Sequence, residues 1–534
     1  MRWLSLRLLV VASIGCASFA LLRGQVRQDV FIHVGTVDSL DATVFVPEKP
    51  PPVHGYPAIL FIHGFGASKN SSLPSCEGAA RNGFVSLAYT VRGHGLSTGL
   101  TAIMSGQERN DLPAVLRYLR ALPNVDTNAV GITGGSQGGL HALWAVVDRL
   151  PVRVACTDDI IPRWASDLFS NGCIRRTLLV LLHSPGVRYS PERDVYWNLA
   201  RADAYDSLKA KFVRGRDLDT SQLSAVTVPI QAFMEWQDHY FSPAGGIAAF
   251  VNEWGPKQLY VGTQGHFSDE VPGEFRYQAG LVFRWFRKYL TPERADTGAV
   301  PPVSYAYSSL PVDSAGNFTW THETAPAWPP FDSVRSLRYY VQGDSSLSTR
   351  VPSARRGSFV LRNEYRDTSY TFDTAFVEGF RGARFNSILP QHTRTYDSPV
   401  LTEDLLWFGA PEMRLWVRSS HPVFPIHAQI YEVDSAGAKY FINRINYTAR
   451  HWKPGSRGWI AVTGIPHAHR FTRGSRIRIE ITNIDRTNRK EIGTFPFVVP
   501  VLMNTDVTVY TDRRHPASID LPVVRMPILP GPGN

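Results

Sequence analysis

The chain has 534 residues, 43% hydrophobic and 19% charged, with 42 glycines and 38 prolines. These proportions exclude a disordered, collagenous or low-complexity protein and leave room for about two to four domains with real hydrophobic cores. The formal charge of +10 is concentrated, since residues 441–490 hold eleven Lys or Arg against Glu480 and Asp485. Within that run Arg476-Ile477-Arg478-Ile479-Glu480-Ile481 alternates with period two. This is the pattern of a half-buried strand with a solvated face, and no nucleic-acid motif accompanies it, so nucleic acid is not expected as a partner.

In chain order, residues 1–25 read as an export segment. Arg2 and Arg7 precede an uncharged run over 8–22, too short to span a bilayer, with Ser18-Phe19-Ala20 as a cleavage site. Cys16 after Ile14-Gly15 resembles a bacterial lipoprotein box, although Ser13 replaces the usual aliphatic residue. The expected location is periplasmic, extracellular or lipid-anchored at the envelope, with membrane attachment only through the N-terminus. Cys76, Cys156 and Cys173 remain. An oxidising compartment would allow a Cys156–Cys173 disulfide, and no pair has zinc-site spacing.

Residues 29–34 and 42–46 read as two antiparallel strands. Strand and helix signals then alternate, which predicts a parallel sheet flanked by helices. The strands fall at 58–62, 84–91, 129–133, 152–156, 230–234 and 258–261. Helices are predicted at 105–122 and 274–290, the second with Phe275, Ala279, Val282, Phe286 and Tyr289 on its apolar face. The alternation breaks over 159–225, too long for a plain crossover, which reads as an inserted helical cap. The core is thus 26–158 and 226–295. Beyond Pro301-Pro302 the helical signal vanishes, and short strands over 300–534 predict a β-sandwich.

The strongest chemical signal is Gly134-Gly135-Ser136-Gln137-Gly138, between the strand at 129–133 and an apolar stretch at 140–147. This is G-x-S-x-G in its strand–turn–helix context, a nucleophile elbow. A serine needs a base, and the base needs an orienting acid. Asp238 and His266 follow successive strands at their carboxyl ends, where an open α/β sheet places its site. Glu235 and Asp159 are the rival acids, and His239 is a poorer base candidate. Oxyanion donors are expected from the backbone N–H of Gln137 and of Phe65, within His63-Gly64-Phe65-Gly66. His63 reads as structural. Arg92, in Thr90-Val91-Arg92-Gly93-His94-Gly95-Leu96-Ser97, reads as a buried ion pair or a substrate contact.

Together these residues resemble the group of α/β-hydrolases that holds X-prolyl dipeptidyl peptidases, cocaine esterase, α-amino acid ester hydrolases and glutaryl-cephalosporin acylase. The resemblance rests on the 92–97 turn, the elbow, Trp236-Gln237-Asp238 and Gly265-His266. In the last third it rests on Asp404-Leu405-Leu406-Trp407-Phe408-Gly409-Ala410-Pro411, Ile430-Tyr431-Glu432-Val433, Ala327-Trp328-Pro329-Pro330 and the 471–478 segment. It implies an α/β-hydrolase core, a helical cap and a C-terminal jelly-roll sandwich. It also implies a serine hydrolase that cleaves an amide or ester bond of a small-molecule or short peptide substrate, without metal or organic cofactor. A carboxylesterase of the cocaine esterase type is the alternative, and a non-catalytic binder using the jelly roll is a second. Three positions depart from the group: Thr90 stands where an aspartate is frequent, Gln137 where some members carry tyrosine, and Phe65 where they supply an oxyanion tyrosine. An ammonium-binding acid for a dipeptidyl substrate would come from Asp158, Asp159, Asp167 or Glu192.

Overall fold

The computed structural model describes residues 26–266, 273–294, 300–380, 382–489 and 493–524. The expected export segment and Cys16 lie outside them. Strands β1 (Val26–Val34) and β2 (Asp38–Val46) form an antiparallel hairpin, and β2 pairs antiparallel with β4 (Val85–Tyr89). From there the sheet is parallel, through β3 (Tyr56–Ile62), β5 (Val125–Gly135), β6 (Val154–Asp158), β7 (Ile230–Gln237) and β8 (Lys257–Gln264). These central strands are buried and largely apolar, because helices cover both faces.

Two layers of helix do this. Helices α1 (Leu73–Arg81), α2 (Gly106–Arg120) and α3 (Gln137–Val147) connect the first strands. Helix α2 starts on a capping box in which Ser105 and Glu108 satisfy each other's backbone donors. The cap holds five short helices: α4 (Trp164–Asp167), α5 (Arg176–Leu182), α6 (Glu192–Arg201), α7 (Tyr205–Val213) and α8 (Thr220–Ser224). Helices α9 (Pro243–Asn252) and α10 (Glu274–Leu290) complete the core. The α10 face differs from the expected one. Leu281, Trp285, Phe286 and Leu290 pack against Ile59, Val154, Cys156 and Phe233 of the sheet, whereas Phe275 is exposed.

The strand after Pro301-Pro302, β9 (Val303–Val312), extends the core sheet by pairing parallel with β8. It also pairs with Phe318–Ala325 and, at Ser308 and Ser309, with the jelly-roll strand His467–Phe471. The C-terminal domain is an antiparallel sandwich. One face is the four-stranded sheet of Thr393–Asp397, Arg476–Thr482, Phe424–Val433 and Lys439–Ala449. Its isoleucines, Ile477, Ile479 and Ile481 among them, meet Leu415, Val509 and Leu521 of the facing strands. Part of the basic run is committed to ion pairs. Arg478 makes a bidentate pair with Asp397 at 2.7 and 2.8 Å, Arg444 pairs with Asp485 at 3.0 Å, and Arg450 reaches Asp203 of the cap at 2.6 Å. The helical signal does not vanish after 295: Phe372–Val377 and Gly382–Ile388 are short helices. Phe372 and Phe376 hold the first against Trp197 of the cap. A two-turn helix stabilised by tertiary aromatic contacts carries little periodicity to read.

No disulfide joins Cys156 and Cys173. Both thiols are free and buried, as is Cys76. Cys156 sits on β6 under α10, whereas Cys173 lies in the cap with its Sγ 3.4 Å from Thr448 Oγ1 of the jelly roll.

Candidate active site

Ser136 sits between β5 and α3 with φ 53° and ψ −118°, a backbone conformation that costs energy for any residue with a Cβ. The turn is held by Ser136 N–H donating to Asp158 O at 2.8 Å, and by Leu140 N–H donating to Ser136 O at 3.0 Å. Two glycines make it possible. A Cβ on Gly138 would stand 2.0 Å from Ile62 O, and one on Gly134 would stand 2.5 Å from the same atom. The serine is 7% exposed. Gln137 is the first residue of α3, so its N–H belongs to the first-turn donors that have no intrahelical acceptor.

Asp238 follows β7 and His266 follows β8. The Nδ1–H of His266 donates to Asp238 Oδ2 at 2.9 Å, and Asp238 Oδ1 accepts from Tyr240 N–H at 2.7 Å. Asp159 is not merely a rival: its Oδ2 lies 3.2 Å from the same Nδ1. Asp159 is buried and has φ 46°, a left-handed conformation that turns the chain beneath the imidazole. Burial opposes charge on His266, but Asp238 and Asp159 outweigh it and hold the imidazole pKa well above its ordinary value. Burial, opposed by His266 and reinforced by Asp159, leaves the Asp238 carboxyl above the usual range. Glu235, the other rival, lies on β7 before Asp238. It is fully buried, takes a hydrogen bond from Gln278 Nε2 at 3.1 Å, and is pushed well above the carboxylate range by burial and by Asp159 and Asp158. Asp159, Asp238 and His266 lie close enough to share a divalent ion, as do Asp158, Asp159 and Glu235. The imidazole N–H and the Gln278 amide already engage the first set and Glu235, so these contacts are accounted for without one. His239 packs tilted against Tyr240, with its ring 6.2 Å from that of His266.

The oxyanion loop is built by His63. Its Nε2 accepts from Val91 N–H at 2.9 Å, and Nδ1–H donates to Gly64 O at 2.7 Å. Burial lowers its pKa to about 3, so it stays neutral. It therefore clips the loop to the end of β4, a structural role. Phe65 lines the same cavity as Ser136 and His266, its ring edge-on to His94 at 5.0 Å. Arg92 is committed to an ion pair, bidentate with Asp111 at 2.7 Å and within 3.1 Å of Asp38. At Thr90, the side-chain oxygen accepts from Lys69 N–H at 3.0 Å.

Sequence reading missed the clamp on the loop beside His266. Buried Asp167 and Arg175 of the cap pair at 3.0 Å, Asp167 accepts from Ser242 N–H at 2.8 Å, and Thr177 Oγ1 donates to Tyr240 O at 2.6 Å. The Tyr240 and Phe241 rings stand edge-on to the His266 ring at 5.0 and 5.3 Å. Tyr240-Phe241 two residues beyond Asp238 was the available signal. Of the four acids considered for an ammonium, Asp159 is on His266, Asp167 on Arg175, and Glu192 is on the exposed face of α6. Asp158 alone among them lines the cavity.

Two family models match in succession: the X-Pro dipeptidyl-peptidase (S15 family) over residues 35–268, and the X-Pro dipeptidyl-peptidase C-terminal non-catalytic domain over 304–491. Residues 35–268 thus form an S15-family domain of the serine hydrolases, followed by the matching C-terminal domain. Solved structures repeat its whole architecture at low identity. A CocE/NonD family hydrolase from Staphylococcus aureus superposes with a TM-score of 0.71 at 13% identity, covering 94% of both chains. An aminopeptidase from a marine sediment Thaumarchaeota archaeon gives 0.69 at 14%, and an α-amino acid ester hydrolase gives 0.68 at 15%. Each of the last two covers 96% of this chain and 99% of its own. No curated protein matches the chain.

Proposed function

We propose that this S15-group chain is an exported hydrolase that cleaves an ester or amide bond of a small-molecule or short peptide substrate through an acyl-enzyme on Ser136. The observation that carries the reading is the placement of a strained Ser136 and an acid-bound His266 on one cavity wall. In the first half-reaction, Ser136 Oγ forms a bond to the carbonyl carbon while its proton passes to His266 Nε2. The carbonyl electron pair moves onto oxygen, where the N–H groups of Phe65 and Gln137 receive it. Collapse breaks the bond to the leaving group, which departs with the proton from Nε2. Water then attacks the acyl carbon, gives a proton to His266, and releases the acid as Ser136 regains its hydrogen. Asp238 orients the imidazole and stabilises its charged form. Export is supported by Arg2 and Arg7 ahead of the uncharged run 8–22.

A fluorophosphonate probe should label the wild type, and Ser136→Ala should abolish both labelling and turnover. Full labelling of the alanine variant would overturn the assignment. A second reading, a dipeptidyl peptidase that captures a free α-ammonium, is favoured by the S15 match and by Asp158 in the cavity wall. It predicts that acetylating an Ala-Pro amide costs at least about tenfold, whereas equal rates favour a plain acyl hydrolase.

A further inference from the structure

A cavity of about 540 Å³ runs from Ser136 and His266 between α1 and α10 onto the sheet. Its floor is Ile59, Phe61, Cys156 and Phe233, and its roof is Phe275, Ala279, Val282, Phe283 and Phe286 of α10. Of the five residues that periodicity assigned to the packed face of α10, Phe286 packs on the sheet with Leu281, Trp285 and Leu290, whereas Phe275, Ala279 and Val282 line the cavity. The displaced apolar stripe therefore looks onto space that opens at the nucleophile, and Phe275, 66% exposed, stands at its rim. Such a wall costs free energy in water and returns it only when apolar surface covers it. The volume is that of an ordinary small-molecule site.

We infer that this cavity holds the acyl part of the substrate and that the acyl group is an uncharged aliphatic or aryl chain of medium length. The inference rests on Ser136 being the residue acylated. The chemistry selects the acyl side, because the leaving group must diffuse away before water enters, whereas the acyl chain stays bonded to Ser136 throughout. Its inner end is closed by Ile59, Phe233 and Phe286, all buried, which suits the part that remains.

The test is a series of p-nitrophenyl esters from acetate to decanoate, with wild type, Ala279→Trp and Val282→Phe. Wild-type kcat/KM should rise at least tenfold from acetate to octanoate, since only part of the burial of six methylenes is needed for that. Filling the cavity should cost at least tenfold on octanoate and less than about twofold on acetate. Retained acetate turnover and fluorophosphonate labelling show that the variants are folded; if neither folds, the wild-type profile decides alone. A flat or falling profile, or equal losses on both esters, would overturn the inference. So would a gain that follows the alcohol chain of alkyl acetates instead. Absence of labelling in the wild type would instead sink the acyl-enzyme reading.

Discussion

His266 Nδ1 faces two carboxylates, Asp238 at 2.9 Å and Asp159 at 3.2 Å, so removal of one acid leaves another in place. In an ordinary triad the Asp→Asn change costs about 10⁴-fold in kcat, because the imidazole takes the wrong tautomer. Here Asp238→Asn is expected to cost only about 10²-fold, and the double variant with Asp159→Asn about 10⁴-fold. Steady-state kinetics on the four proteins of the cycle decides it, and equal losses with and without Asp159 would show that the second acid contributes nothing. The pH profile reports the same coupling. An anionic Asp159 favours the imidazolium and raises its pKa, so the free base that takes the serine proton appears only at higher pH. Asp159→Asn should therefore move the acid limb of kcat/KM to lower pH.

At the scale of an element, α9 ends on a buried conflict. Glu253 terminates the helix, its N–H donating to Ala249 O at 3.2 Å, while Lys257 Nζ caps the end by donating to the carbonyls of Phe250 and Glu253 at 2.8 and 2.7 Å. The Glu253 side chain is 3% exposed, and burial, only partly offset by Lys257, pushes its carboxyl up to about 8 from 4.5. The folded chain thus keeps a proton that the unfolded chain releases. The stability this group contributes is present below about pH 4.5 and is lost as pH rises toward 8. Glu253→Gln should leave stability unchanged near pH 4 and raise it by up to about 4 kcal/mol at pH 8. A variant with the same pH dependence as wild type in denaturant titrations would refute the account.

For the whole molecule, the jelly roll supplies part of the core. Its lead strand β9 closes the sheet beside β8, Trp236 Nε1–H donates to Ala306 O at 2.7 Å, and Gln237 Nε2–H donates to Ile442 O at 2.6 Å. Trp236, one residue before the acid's neighbour Gln237, packs edge-on to Phe408 of the sandwich at 5.5 Å. The strand that positions Asp238 is therefore braced from the second domain. A fragment ending at 295 exposes Trp236 and the open edge of β8, and should be recovered aggregated and inactive. Recovery of a soluble fragment 26–295 with full esterase activity would contradict this.

What the sequence determined by itself is local or strictly ordered. The elbow was legible because its glycines and the strand before it are contiguous. Asp238 and His266 were legible because the acid and base follow the serine at successive strand ends, where this architecture must place them. The basic strip was readable as a solvated strand because period-two alternation is a property of neighbours in the chain. Tertiary structure decided what depends on atoms distant in sequence. Asp159 reaches His266 only because β6 and β8 flank β7; Cys156 and Cys173 stay apart because the cap carries one of them to the jelly roll. The rotation of α10 that turns Phe275, Ala279 and Val282 toward the cavity is of the same kind. A 3.6-residue period marks where an apolar stripe lies on a helix, but the sheet beneath it decides which part of that stripe is packed and which part is left for a ligand.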